Sequence, residues 1–122
     1  MAVNRQVLVI DDDVDLNYSL SEFLRDEGYI VDSVTDPTQV EKFLNENAYN
    51  IILLDLKMPN ISGVDLIKVI KEKLPQSRLI IMSGRPFVKE LLIKLGLFDY
   101  VDDILDKPFG VETLLEKLKT AA

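Results

Sequence analysis

Apolar runs and helical patterns alternate five times along this chain. Short runs dominated by valine, isoleucine and leucine fall at Val7 to Asp11, Ile30 to Val34, Ile51 to Asp55, Arg78 to Ser83 and about Val101 to Leu105. Their length and β-branched content predict strands. Between them apolar residues recur every three or four positions, the spacing of one helix face. These sets are Leu16, Leu20, Phe23 and Leu24, then Val40, Phe43 and Leu44, then Leu66, Ile67, Ile70 and Leu74. Two more follow, Val88, Leu91, Leu92 and Leu95 running to Gly96, and Val111, Leu114, Leu115 and Leu118. Gly28 and Pro75 are stop signals, and Asp36-Pro37 reads as a helix start with proline inside the first turn. Five β-α units with right-handed crossovers place helices on both faces of a parallel sheet, so the expected fold is an α/β three-layer sandwich. No repeat, low-complexity tract or linker interrupts the pattern.

Size and charge narrow the classes. With 122 residues, 48% of them hydrophobic, there is material for one core and too little for two, so residues 1–122 are expected to form a single domain. No run approaches a bilayer span, and Met1-Ala2-Val3-Asn4-Arg5 heads no apolar signal segment. A cytoplasmic location without membrane contact is expected. The absence of cysteine and histidine excludes disulfides, thiolate metal sites and imidazole proton shuttles. A net charge of -7 argues against direct nucleic-acid binding, which needs Lys and Arg to displace counterions from phosphates.

The candidate chemistry sits where strands end. Val9-Ile10-Asp11-Asp12, Leu53-Leu54-Asp55, Ile81-Met82-Ser83 and Leu105-Asp106-Lys107-Pro108 each close an apolar run. In a parallel sheet these ends share the ligand-binding edge. Three carboxylates, a hydroxyl and an ammonium would meet there, a set able to hold a divalent cation and to receive a phosphoryl group. Each element has a plainer reading. Adjacent aspartates after a strand often cap a helix, as Asp13 or Asp15 would here; serine at a strand end is a common turn residue, and a lysine before proline is usually solvated.

Taken together, Asp11-Asp12, the stretch Asp55-Leu56-Lys57-Met58-Pro59-Asn60-Ile61-Ser62-Gly63, Ser83-Gly84 and Lys107-Pro108-Phe109 resemble the signature of the receiver domain of bacterial two-component response regulators, over essentially the whole chain. The resemblance implies the flavodoxin-like, doubly wound five-stranded sheet of order 2-1-3-4-5. It implies Asp55 as phosphoacceptor, Asp11 and Asp12 as a magnesium-holding pair, and Ser83 and Lys107 as contacts of the phosphoryl group. Magnesium prefers hard oxygen ligands, so Asp12, Asp55, the Lys57 carbonyl and a water held by Asp11 form a reasonable shell. Backbone N–H groups of Leu56, Lys57 and Gly84 would cradle the phosphoryl oxygens. Gly84 would permit close approach, and Gly63 would supply backbone freedom for the turn into the third helix.

Implied partners are a histidine kinase or phosphotransfer protein that presents phosphohistidine, and a downstream effector domain or protein. The chain would be its own enzyme only in part, and a homodimer is compatible with the family. Ending at Ala122 suits a stand-alone regulator or a receiver taken from a longer protein. Three features depart from the family pattern: Ile104 replaces the usual aromatic three residues before Lys107, the Ser83-to-Lys107 span looks long and lacks a Gly-Ala step, and cationic Lys57 and Arg85 lie two positions after Asp55 and Ser83. Two rival readings stand beside this one. A haloacid dehalogenase-type phosphatase would use Asp11 of Asp11-Asp12-Asp13 as nucleophile, but Asp15 and the stretch from Asp55 to Gly63 do not suit it. A receiver-like interaction module would need no phosphate, a reading that Ile104 keeps open.

Overall fold

The computed structural model describes residues 5–57 and 63–119, so Met58-Pro59-Asn60-Ile61-Ser62 lies outside the described residues. Strands β1 (Gln6–Ile10), β2 (Ile30–Val34), β3 (Ile51–Asp55), β4 (Arg78–Ser83) and β5 (Asp103–Asp106) pair in parallel in the order β2-β1-β3-β4-β5. Helices α1 (Val14–Asp26), α2 (Val40–Glu46), α3 (Gly63–Lys73), α4 (Val88–Lys94) and α5 (Val111–Lys119) alternate with them. This is the flavodoxin-like three-layer sandwich, and its winding reverses between β1 and β3, where such sheets open a crevice at their C-terminal edge.

Both faces of the sheet are covered, which is why its strands read as continuous apolar runs instead of alternating ones. Leu8, Ile10, Ile52, Leu54, Leu79 and Ile81 turn to one side and pack with Val40, Leu44, Ile67, Ile70 and Leu92 from α2, α3 and α4. Val7, Val9, Ile51, Leu53, Ile80, Met82 and Leu105 turn to the other and pack with Leu20 and Leu24 of α1 and Leu114 and Leu118 of α5. Full burial of one such side chain is worth about 1.5–3 kcal/mol, so the sheet is a stiff platform for whatever its edge carries.

Helix ends follow the local chemistry. Asp13 accepts from the Leu16 N–H at 3.1 Å and so caps α1. Gly28, at φ 98°, closes the helix, with the Tyr29 N–H donating to Leu24 O at 3.0 Å. Asp36 starts a 3-10 turn over Pro37–Gln39 that leads into α2. Between β4 and β5 the chain makes only a seven-residue α4, preceded by Phe87 at φ 60° and followed by Gly96 at φ 72° and a 3-10 turn over Phe98–Tyr100.

Two strands are displaced from their expected limits. β1 stops at Ile10, although the Asp11 N–H still donates to Val34 O at 3.1 Å. β5 begins at Asp103 instead of near Val101, because the Asp102 carboxylate takes the Leu79 N–H at 2.7 Å, where a strand carbonyl would otherwise sit, and pairs with Lys71 at 3.0 Å. Among the described residues, no helix is long and apolar enough to cross a membrane.

Candidate functional site

Registers Ile10↔Leu54, Asp55↔Met82 and Ser83↔Asp106 bring the C-terminal ends of β1, β3, β4 and β5 level with one another. Asp11 and Asp12 follow β1, Asp55 and Ser83 are the last residues of β3 and β4, and Lys107 follows β5. One carboxylate oxygen from each of Asp11, Asp12 and Asp55 lies within 4.8 Å of the other two, a spacing that a single cation can bridge. Lys107 Nζ stands 3.0 Å from Asp11 Oδ2 and 3.4 Å from Asp55 Oδ2. The residues expected at the edge from four distant segments are thus in one place.

Burial sets the electrostatics. Asp11 is fully buried and Asp55 nearly so. Burial pushes the Asp55 carboxyl above the ordinary aspartate range, the Lys57 N–H at 3.2 Å and the Lys107 ammonium pull it back in part, and the Asp11 charge adds to the rise. For Lys107, burial opposes the charged form, but the hydrogen bond and charge of Asp11, with the charge of Asp55, outweigh it and raise its pKa. The ammonium is held on.

An open cleft of about 1120 Å³ covers this group, lined by Asp12, Asp55, Lys57, Ser83, Arg85 and Lys107 among others. Ser83 Oγ accepts from the Arg85 N–H at 3.0 Å, and its carbonyl accepts from the Lys107 N–H at 2.8 Å, tying the β4 and β5 ends together. Lys57 and Arg85 both reach the mouth, as their spacing from Asp55 and Ser83 suggests. The Leu56 side chain joins the core, while the Leu56 carbonyl accepts from the Gly63 N–H at 3.2 Å. Beside the cleft, Ile104 lines a second depression of about 580 Å³ with Ser83, Phe87 and Val88.

Of the two motif glycines, Gly63 acts differently from expectation. Gly63 has no left-handed φ; a Cβ there would lie 2.5 Å from Leu56 Cα and 2.6 Å from Asp55 O. It is glycine because α3 starts against the backbone of the Asp55 turn. Gly84, in contrast, has ordinary room for a methyl group, with Lys107 Cβ at 3.6 Å. Of three consecutive aspartates, Asp13 is the cap, and Asp11 Oδ1 accepts the Asp13 N–H at 3.0 Å. The helix-capping reading therefore belongs to Asp13. Behind Asp11 lies Asn17, 1% exposed, which no catalytic pattern singles out. Its one signal in the sequence is an amide next to Leu16 and three residues before Leu20, on the inner face of α1.

Comparison with known proteins matches this geometry. The family model for the response regulator receiver domain matches residues 7–119. A putative NtrX-like response regulator from Rickettsia bellii is 32% identical over 119 residues, across 94% of this chain and 24% of that protein. The chain spans about a quarter of the length of the curated relatives it matches. Among solved structures, a response regulator protein from Burkholderia pseudomallei with a phosphorylated aspartic acid, a calcium ion and citrate superposes with TM-score 0.84 and 28% identity, covering 95% of this chain and 67% of that one. The response regulator TrrA from Thermotoga maritima, in complex with Mg2+-BeF, gives TM-score 0.84 and 26% identity over 97% of this chain and 99% of its own.

Proposed function

The chain belongs to the response regulator receiver domain family of two-component signalling, and from that premise we propose that it is a phosphorylation-controlled switch in which Asp55 accepts a phosphoryl group from a phosphohistidine donor. The observation that carries this reading is the convergence of the Asp11, Asp12 and Asp55 oxygens beside the Lys107 ammonium. The three carboxylates fit a hard divalent cation such as Mg2+, which would be held by Asp12, Asp55, the Lys57 carbonyl and, through a water, Asp11. When bound, that ion supplies positive charge that lets two anions approach.

The remaining steps belong to the chain. An Asp55 carboxylate oxygen attacks phosphorus, a P–O bond forms, and the P–N bond breaks as the donor imidazole, already protonated on its other ring nitrogen, leaves as neutral imidazole. Lys107 swings its ammonium from the carboxylates onto one phosphoryl oxygen, and the Ser83 hydroxyl donates to another. N–H groups of Leu56, Lys57 and Gly84 face the rest. Attack of water on the phosphorus of the acyl phosphate breaks its P–O bond to Asp55, releasing inorganic phosphate, which keeps the water's oxygen, and restoring the carboxylate. Lys57 and Arg85, at the mouth, draw an anionic donor toward the acidic floor. Output follows from a shift between two packings of the β4 and β5 ends, which bear on the α4 face and on an effector domain or partner. The donor is a histidine kinase or phosphotransfer protein, and the switch works in the cytoplasm as one domain.

The test is phosphorylation by a small-molecule donor with Mg2+, followed by intact mass and peptide mapping. One phosphoryl group on Asp55 is expected, lost in Asp55→Asn and in the presence of chelator. A label on Asp11, as a haloacid dehalogenase-type enzyme would carry, or no label at all, refutes the proposal.

A further inference from the structure

Asn17 is 1% exposed and turns the Nδ2 of its side chain onto the ligand-bearing edge of the sheet. Its Nδ2 donates to Asp11 O at 2.9 Å and to Val34 O at 3.0 Å, with Val9 O at 3.5 Å. Its Oδ1 accepts from Ser21 Oγ at 3.1 Å, one turn further along α1, and the carbonyls, which can only accept, fix the amide with its Nδ2 toward them. Val34 O also takes the Asp11 N–H at 3.1 Å, so the peptide before Asp11 is pinned to the end of β2 directly and the peptide after it through Asn17.

The carbonyl of Asp11 lies in the same rigid plane as the N–H of Asp12. Holding that oxygen fixes the plane between the two residues and hence the directions in which their carboxylates leave the backbone. Helix capping does not need this contact, because Asp13 provides the cap. Burial alone does not favour it either, since an amide costs more to bury than the leucine that the same helix face carries at Leu20 and Leu24.

We infer that Asn17 is a positioning residue for the cation site: it aims Asp11 and Asp12 at a common point by clamping the peptide between them. This rests on the reading of the acidic group as a cation site. Partners that orient metal ligands typically contribute about tenfold or more in affinity, and Asn17 would do so from behind the backbone instead of from beside a ligand atom. Ser21 would support it indirectly.

Isothermal titration of the full chain with Mg2+ decides the matter, using wild type, Asn17→Ala, Ser21→Ala and a control, Ile67→Val, which thins the buried core on the opposite face of the sheet. The expected result is an affinity about tenfold lower in Asn17→Ala, a smaller loss in Ser21→Ala, and none in Ile67→Val even though its melting temperature falls. Asn17→Ala binding Mg2+ as tightly as wild type overturns the inference and leaves the site reading standing. If Asn17→Ala does not fold, Asn17→Leu, close to the amide in shape and suited to the apolar face of α1, decides in the same way: weaker binding supports the clamp, unchanged binding overturns it. Wild type that binds no Mg2+ overturns the site reading, and the clamp with it.

Discussion

Replacing Asp12 by alanine should stabilise the protein without metal and destabilise it, relative to wild type, with metal. Oxygens of Asp11, Asp12 and Asp55 lie within 4.8 Å of one another, where two unit charges repel by about 3.5 kcal/mol at an effective dielectric of about 20 and about 0.9 kcal/mol in water. Asp12→Ala removes two such repulsions; setting one of them against the longer-range pull of the Lys107 ammonium, which pairs with Asp11 and Asp55, leaves roughly one repulsion relieved. Asp12 is half-buried but lines the open cleft, where water screens it, so the low end applies, about 1 kcal/mol or some 3–5 °C in melting temperature for a chain of this size. The cap of α1 is untouched, because Asp13 makes it. Thermal unfolding by circular dichroism at pH 7 in low salt with chelator reads the first half, and added salt should narrow the gap by screening. With Mg2+ at ten times its dissociation constant, wild type gains about 1.4 kcal/mol by mass action while the variant gains far less. The order of stabilities then reverses. An Asp12→Ala protein that melts at or below wild type in chelator, or that gains as much from Mg2+, refutes the reasoning.

Gly63→Ala should cost about 1–3 kcal/mol by overpacking, since its methyl would meet the Leu56 and Asp55 backbone, whereas Gly84→Ala should leave chemical denaturation midpoints nearly unchanged. Equal costs in the two variants would sink the steric account. The raised Asp55 pKa gives a pH test in chelator: a carboxyl with a folded pKa above its unfolded value favours folding below the unfolded value and loses that contribution as pH rises through the folded one. Stability of the metal-free protein should therefore fall as pH rises above the ordinary aspartate range, and Asp55→Asn should flatten that fall; an Asp55→Asn profile parallel to wild type contradicts it. Ile104→Tyr should widen the ratio of partner affinities between phosphorylated and unphosphorylated protein, by putting a ring into the depression beside Ser83 and Phe87. A ratio equal to that of wild type removes the idea.

Most of the fold was legible because the sheet is buried on both sides. A run such as Ile51-Ile52-Leu53-Leu54 has few alternatives to a central parallel strand, and β2, β3 and β4 begin and end where their apolar patterns do. The convergence of Asp11, Asp55, Ser83 and Lys107 was legible for the same reason, since parallel strands must deliver their C-terminal ends to one edge. What the pattern could not hold was side-chain competition for backbone groups. Asp102 moves the start of β5 by capturing the Leu79 N–H, and nothing in the residues before α4 marks Phe87 for a left-handed backbone. Such a conformation costs an aromatic about 1–2 kcal/mol, a cost set by the surrounding chain and not by the residue. Gly63 was identified as necessary for the wrong reason, because a close approach between Asp55 and α3 depends on tertiary distance. Asn17 was invisible, as its three carbonyl partners come from Asp11, Val9 and Val34, two of them on strands the helix only meets after folding.

The bond from the Lys107 N–H to the Ser83 carbonyl fastens the backbones that carry the hydroxyl and the ammonium to one crossbar. Whatever displaces the serine backbone pulls on the lysine backbone too, while the flexible four-carbon stem leaves the ammonium free to turn between its partners. If the proposed switch operates, a shift at the tip of β4 would reach the tip of β5 through this bond instead of stopping at one strand.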